Sequence, residues 1–299
     1  MSRASSPSTA RHYGTARVCR VWEVPRSTVY ERRARAGRPE QRLAKRGPKQ
    51  AWTDAALTEQ IRAVLADSPF VGEGYRKAWA RLRLAGVRTS KGRVLRLMRE
   101  AGLLAPTRVG RRRGPRNHDG TISTERPDEM WGTDATACLT TREGNATVFI
   151  AVDHCTQECV GIHAARPGTR FEALEPLRQG LREHFAGYGA GIAAGLSLRH
   201  DHGSQYLSDH FQDELRFLGI RSSPSFVAAP EGNGCAERFI RTLKEQLLWV
   251  ERFETVEQLR LALLAFKERY NQAWLVERHG HRTPAAVREA LSSSIGAAA

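Results

Sequence analysis

The sequence predicts an α/β protein, a mixed five-stranded sheet with helices, preceded by small all-α segments. Three features lead there. From Trp131 onward the apolar runs read as three strands, helix, strand, helix, strand, helix. Before that point the apolar residues follow helical spacing and are interrupted by turn-forming Gly and Pro. The charge divides at the same place: residues 1–125 carry 28 Lys+Arg against 10 Asp+Glu, and the remainder 19 against 22.

Residues 1–50 read as a helix-turn-helix-like segment and a linker. One helix spans Ala16 to Trp22, a turn falls at Glu23-Val24-Pro25, and a second helix runs from an N-cap at Ser27 into Arg32, Arg33 and Arg35. Residues 36–50 are Gly, Pro and charge. Residues 51–105 form a small helical DNA-binding domain. Leu57, Ile61, Val64 and Leu65 share one face, as do Tyr75, Trp79 and Leu82. After a turn at Ala85-Gly86-Val87, a third helix is capped by Thr89 or Ser90 and ended by Gly102. It turns Val94, Leu95 and Met98 inward and offers Lys91, Arg93, Arg96 and Arg99 outward. A basic helix after a tight turn suits the major groove; the alternative is a bundle that packs only on the rest of the chain. Residues 106–126, with Arg111, Arg112 and Arg113, are a basic linker.

Residues 127–290 hold the core. Strands are predicted at 131–139, 146–153 and 158–164, then a helix over 171–185. A strand from Leu196 ends at Asp201, a helix covers 205–218, and a strand covers 220–225. Helices at 234–249 and 256–270 complete it. This is the element order of an RNase H-like core. Residues 291–299 read as a flexible tail.

The net charge is +15, and its concentration in one part points to nucleic acid, since neutralising phosphates releases counterions. A solubilising surface is the plainer alternative. No apolar run approaches the length of a membrane span, and residues 1–10 lack a signal-peptide h-region. The five cysteines form no C-x-x-C pair, and Cys155 and Cys159 with His154 and His163 fit no common zinc finger. Reduced thiols and a cytoplasmic location follow.

Asp134 lies in the first strand, Asp201 just past the fourth, and Glu237 on the helix after the fifth. Strands one and four are neighbours in such a core, with the Glu helix packed across them, so the three carboxylates converge. An all-oxygen cluster suits Mg²⁺ or Mn²⁺, and two such ions can serve phosphodiester displacement. Lys244 lies seven residues beyond Glu237, on the same helical face, where a cation can hold a phosphate; Arg241 shares that face. His200, His202 and Asn233 are assigned supporting roles behind the acids.

The stretches Trp131-Gly132-Thr133-Asp134-Ala135-Thr136, Val152-Asp153, His200-Asp201-His202-Gly203-Ser204-Gln205-Tyr206, Asn233 through Glu237, Thr242-Leu243-Lys244, Tyr270-Asn271 and Thr283-Pro284 resemble the DDE transposases of the insertion-sequence-three group, in particular their catalytic OrfB product. Thirty-five residues separate Asp201 from Glu237, as in that group and its retroviral-integrase relatives. The resemblance implies Mg-dependent cleavage at insertion-sequence ends, strand transfer by the freed 3′-hydroxyl, a homo-oligomer in the working complex and an OrfA partner. It places the metal ligands at Asp134, Asp201 and Glu237. Two alternatives stand beside it: an RNase H-like nuclease that cuts without joining, and a non-catalytic helix-turn-helix DNA-binding protein.

Overall fold

A computed structural model describes residues 4–36, 51–106, 122, 124–185, 187–225 and 233–296. The chain divides into two compact units, Met1–Ala51 and Trp52–Ala299.

The first unit contains helices α1 (Gly14–Val21) and α2 (Arg26–Ala36). The turn between them places Glu23 at φ 50°. Helix α2 already begins at Arg26, so Ser27 lies inside it and does not cap it. Pro25, which cannot continue a preceding helix, sets the boundary, and its carbonyl accepts the Thr28 N–H. The linker beyond lies outside the described residues.

The second unit opens with α3 (Asp54–Ala66), α4 (Tyr75–Leu84) and α5 (Lys91–Glu100). Leu57, Ile61, Ala78, Leu82, Val94, Leu97 and Met98 form their buried core. Leu97, rather than Leu95, completes the inner face of α5. Thr53 caps α3, and Ser90, not Thr89, caps α5. The turn before α5 needs Gly86 at φ +80°. These helices dock on the core through the segment after α3. Phe70 meets Trp274 edge-on at 4.9 Å, the Gln246 amide bonds both the N–H and the carbonyl of Val71 at 2.9 Å, and Arg76 pairs with Glu277 at 3.0 Å.

The core is one sheet of β1 (Met130–Thr140), β2 (Gly144–Asp153), β3 (Cys159–Ala165), β4 (Ser197–His200) and β5 (Arg221–Pro224), in the order β3-β2-β1-β4-β5. Pairs β1–β2 and β2–β3 are antiparallel, while β1–β4 and β4–β5 are parallel. This is the RNase H-like arrangement. The nearly continuous apolar run of β2 follows from burial on both faces. Val148, Ile150 and Val152 face α10 (Gly234–Leu243) and α11 (Val256–Ala273). Phe149 and Ala151 face α7 (Glu175–His184) and α9 (Asp209–Leu218). Helix α7 reaches β3 closely because Gly161 has no side chain; a Cβ there would overlap the Pro176 carbonyl.

Two predicted helices are each broken. The 171–185 helix is α6 (Arg170–Ala173) followed by α7. The 205–218 helix is α8 (Ser204–Leu207) followed by α9, because Ser208 leaves helical geometry and its side chain caps the Phe211 N–H. The 234–249 helix is α10 continued by a π-helical turn, Lys244–Leu248. Residues 291–296 of the predicted tail are instead the end of α12 (Pro284–Gly296), and the remainder lies outside the described residues. No described helix is long and apolar enough to cross a membrane.

Candidate active site

The alternation of β1 sets the site. Trp131, fully buried, points to the α7 side, so Gly132 and Asp134 point to the α10 side. Asp134 is part-buried, and its Oδ1 accepts the Ala135 N–H at 2.8 Å. Asp201 follows the last residue of β4, which pairs in parallel with β1. It is exposed and turns back to accept the Gly203 N–H at 2.8 Å. Glu237 sits in the first turn of α10, exposed. Helix α10 lies over β1 and β2, not over β1 and β4 as the sequence suggested. Glu237 therefore stands on the β2 side of Asp134 and Asp201 on its β4 side, and the ligand oxygens of the three do not all lie within 4.8 Å of one another.

Asp134 lies near enough to both other acids for their charges to act on it. Burial pushes the Asp134 carboxyl up to about 6, and the charges of Asp201 and Glu237 push in the same direction, while Lys244 opposes them. Burial also raises Glu237, and Arg241 one helical turn away opposes the shift. Carboxylate oxygens are hard donors of the kind that suit Mg²⁺ or Mn²⁺. Arg241 is exposed and Lys244 half-buried, near enough for their charges to act on Glu237 and Asp134 respectively.

The supporting residues behave differently from one another. His200 is fully buried and faces away from the acids. Its Nδ1 lies 2.7 Å from the Asp201 carbonyl and its Nε2 lies 2.9 Å from Ser222 Oγ, so it fixes the β4–Asp201 bend against β5. His202 is exposed. Asn233 precedes α10 and donates Nδ2–H to the Thr133 carbonyl at 2.9 Å, tying the Glu237 helix to β1 beside Asp134.

On α5, Lys91 and Arg96 are exposed or partly so, and Lys91 stacks on the Trp79 ring. Arg93 is not available outside. Its side chain is 12% exposed, bonds Asp54 at 2.8 Å and donates to the Trp52 carbonyl at 2.7 Å. It fastens α5 to the start of α3. Arg96 also pairs with Asp54 and with Glu100 but stays accessible. Arg111, Arg112 and Arg113 lie outside the described residues.

Three residues that the sequence places in the resembling stretches, without assigning them a site role, organise the core. Asp153, fully buried, accepts the Thr156 N–H and hydroxyl through Oδ1 and the Asp128 N–H through Oδ2. Asn271, on α11, bonds both the N–H and the carbonyl of Cys159, closing an end of β3. Tyr206, fully buried, lies close enough to Asp134 and Asp201 for both charges to act on its hydroxyl. Each of the three lies in one of the stretches that carry the family resemblance, which is the signal the sequence offers for them.

Two family descriptions match the chain. Residues 52–112 match an HTH-like domain and residues 218–284 an integrase core domain. The transposase for insertion sequence element IS629 of Shigella sonnei is 27% identical over 293 residues, covering 95% of this chain and 94% of the relative. The transposase InsD for insertion element IS2D of Escherichia coli (strain K12) is 27% identical over 201 residues, covering 66% of this chain and 65% of the relative. An insertion element IS2A protein of 48.2 kDa from Escherichia coli is 26% identical, and the match covers 82% of this chain and 57% of that protein. Among solved structures, the catalytic core of BIV integrase aligns with a TM-score of 0.41 at 18% identity, over 56% of this chain and 97% of that one.

Proposed function

We infer that this chain is a DDE transposase of the insertion-sequence-three group, an HTH-like domain joined to an integrase core, and that it cuts insertion-sequence ends and transfers the freed strand into new DNA. It is a polynucleotidyl transferase. The observation that supports the site assignment is Asp134, a part-buried carboxyl on β1 whose ionisation is disfavoured first by burial and then by the nearby charges of Asp201 and Glu237. Asp134, Asp201 and Glu237 would hold the metal, Mg²⁺ or Mn²⁺, in two ions. When bound, these ions polarise the phosphodiester and lower the pKa of the attacking hydroxyl.

The chain's own groups do the rest. Lys244 and Arg241 bind the end's phosphates beside the acids, so the scissile phosphodiester is held at the carboxylate cluster. His200 keeps the Asp201 turn rigid, and Asn233 holds the start of α10 against β1. In the first reaction water attacks a phosphorus at the element's end. The bond to the 3′-oxygen breaks, giving a 3′-hydroxyl and a 5′-phosphate. In the second, that 3′-oxygen attacks a target phosphorus, one P–O bond forms, and one breaks to release a target 3′-hydroxyl. Bond count is conserved, so no nucleotide triphosphate is consumed.

Residues 51–105 engage DNA through Lys91, Arg96 and the rest of the exposed face of α5, and residues 127–290 carry the chemistry. Two ends must be joined in one event, so the working complex is at least a dimer. An OrfA partner belongs to the same proposal. The test is purified protein with Mg²⁺, a labelled end from its own flanking DNA and a supercoiled target. Joined product is expected. Cleaved ends with no joined product would place the chain among plain nucleases, and binding without cleavage would make it a DNA-binding protein.

A further inference from the structure

Two buried acceptors meet behind Asp134 without a donor between them. His154 follows β2 and is 0% exposed, and Asn233 precedes α10 and is 5% exposed. Among the described residues, His154 Nε2 and Asn233 Oδ1 have no hydrogen-bond partner. Both atoms point at the same space over Gly132. A Cβ on Gly132 would stand 2.7 Å from the His154 atom and 2.8 Å from the Asn233 atom. They are thus separated by at most the sum of those lengths.

The chemistry of each atom is fixed by its far side. His154 Nδ1 lies 2.9 Å from the Ile122 carbonyl, which can only accept, so the ring proton sits on Nδ1 and Nε2 presents a lone pair. Burial, with Arg199 and Arg278 nearby, disfavours a second ring proton. Asn233 donates Nδ2–H to the Thr133 carbonyl. Turning its amide over would set Oδ1 against that carbonyl, so Oδ1 faces the gap. Two acceptors cannot bond each other. The same two arginines disfavour a cation there.

We propose that one buried water donates a hydrogen bond to His154 Nε2 and to Asn233 Oδ1 in the space left by Gly132, and that His154 is thereby a positioning residue for the carboxylate cluster. The bridge joins two pieces of chain, the turn after β2 and the start of the helix bearing Glu237, across the β1 residue two positions before Asp134. A buried water with two or more polar partners is an ordinary structural element. Here it steadies Asn233, whose bond to the Thr133 carbonyl holds the Glu237 helix against β1 beside Asp134.

This role for the bridge rests on Asp134 and Glu237 as metal ligands. Its test therefore includes D134N, together with H154F, which removes the acceptor, H154Q, which keeps one, and G132A, which fills the space. Mn²⁺ affinity is measured directly, apart from turnover, on the full chain. Wild type should bind, and D134N should not. H154F and G132A should weaken Mn²⁺ by about 10- to 100-fold, the usual effect of losing a group that orients a ligand, and H154Q should stay within about threefold of wild type by the same reasoning. A crystal structure of wild type at a resolution that shows waters should place one within hydrogen-bond reach of both atoms. Normal Mn²⁺ binding by D134N would overturn the metal site itself. Loss in D134N with normal binding by H154F, or a side-chain donor standing between the two atoms, would overturn the bridge alone.

Discussion

Replacing Asp134 with Asn should stabilise the metal-free chain while removing its chemistry. The carboxyl is pushed from its ordinary 3.8 up to about 6, so the folded chain resists ionising it. Below the unfolded value both states hold the proton and nothing is lost. As pH rises from about 4 to about 6, the unfolded chain releases its proton first, and the fold loses stability until both states are ionised. A tenfold difference in proton affinity between the two states is worth about 1.4 kcal/mol, so the full loss at pH 7.5 is about 3 kcal/mol. At pH 4.5 it is about 1 kcal/mol by the same relation. Asparagine keeps the shape and the acceptor for the Ala135 N–H but never ionises. Urea unfolding of both proteins in EDTA should therefore show D134N more stable by up to about 3 kcal/mol at pH 7.5, shrinking toward about 1 kcal/mol at pH 4.5. Adding Mg²⁺ should stabilise only wild type, because binding to the folded state alone shifts the equilibrium. A D134N chain no more stable than wild type at pH 7.5, or one whose advantage does not change with pH, would mean that the folded chain does not disfavour the Asp134 carboxylate.

Three further outcomes are expected. Asn271→Ala strands the buried N–H and carbonyl of Cys159 and should cost about 2–4 kcal/mol in urea unfolding; a change below about 1 kcal/mol would mean that water takes over both groups. Arg93→Ala should lower stability by about 1–3 kcal/mol, because its guanidinium bonds Asp54 and the Trp52 carbonyl, yet leave the salt dependence of DNA binding unchanged; a shallower salt slope would return Arg93 to the DNA face. Lys244→Ala should weaken end binding and reduce the salt slope by about one, with melting unchanged; equal slopes for mutant and wild type would remove Lys244 from the phosphate contacts.

What the sequence disclosed is local pattern and topology. The β2 run was legible because burial on both faces leaves no polar alternation, and so was the placement of Asp134 on β1, Asp201 after β4 and Glu237 on α10, because that follows from the element order. Interruptions were less so. Ser208 is a helix cap placed where a single long helix would run through, and its role depends on where α9 must pack. The π-helical turn after Leu243 leaves no mark in composition. The small-residue end of the chain read as a tail because nothing in it announces the last turns of α12. Long-range pairs were hidden altogether. Arg93 and Asp54 lie 39 positions apart, so a residue that looked like a DNA contact is a brace. His154 looked like an unlikely zinc ligand until the fold set it beside Gly132 and Asn233.

If Asp134, Asp201 and Glu237 act together on one phosphodiester, removing the charge of any one should abolish joining. That is measured as strand-transfer turnover with Mg²⁺ on pre-cleaved ends, comparing wild type with Asp201→Asn and Glu237→Gln. Both substitutions keep size and shape, so folding and end binding should match wild type while joining falls by about a thousandfold or more, the scale on which groups acting as a unit are lost. Normal joining by either variant would show that the three acids do not form one catalytic unit.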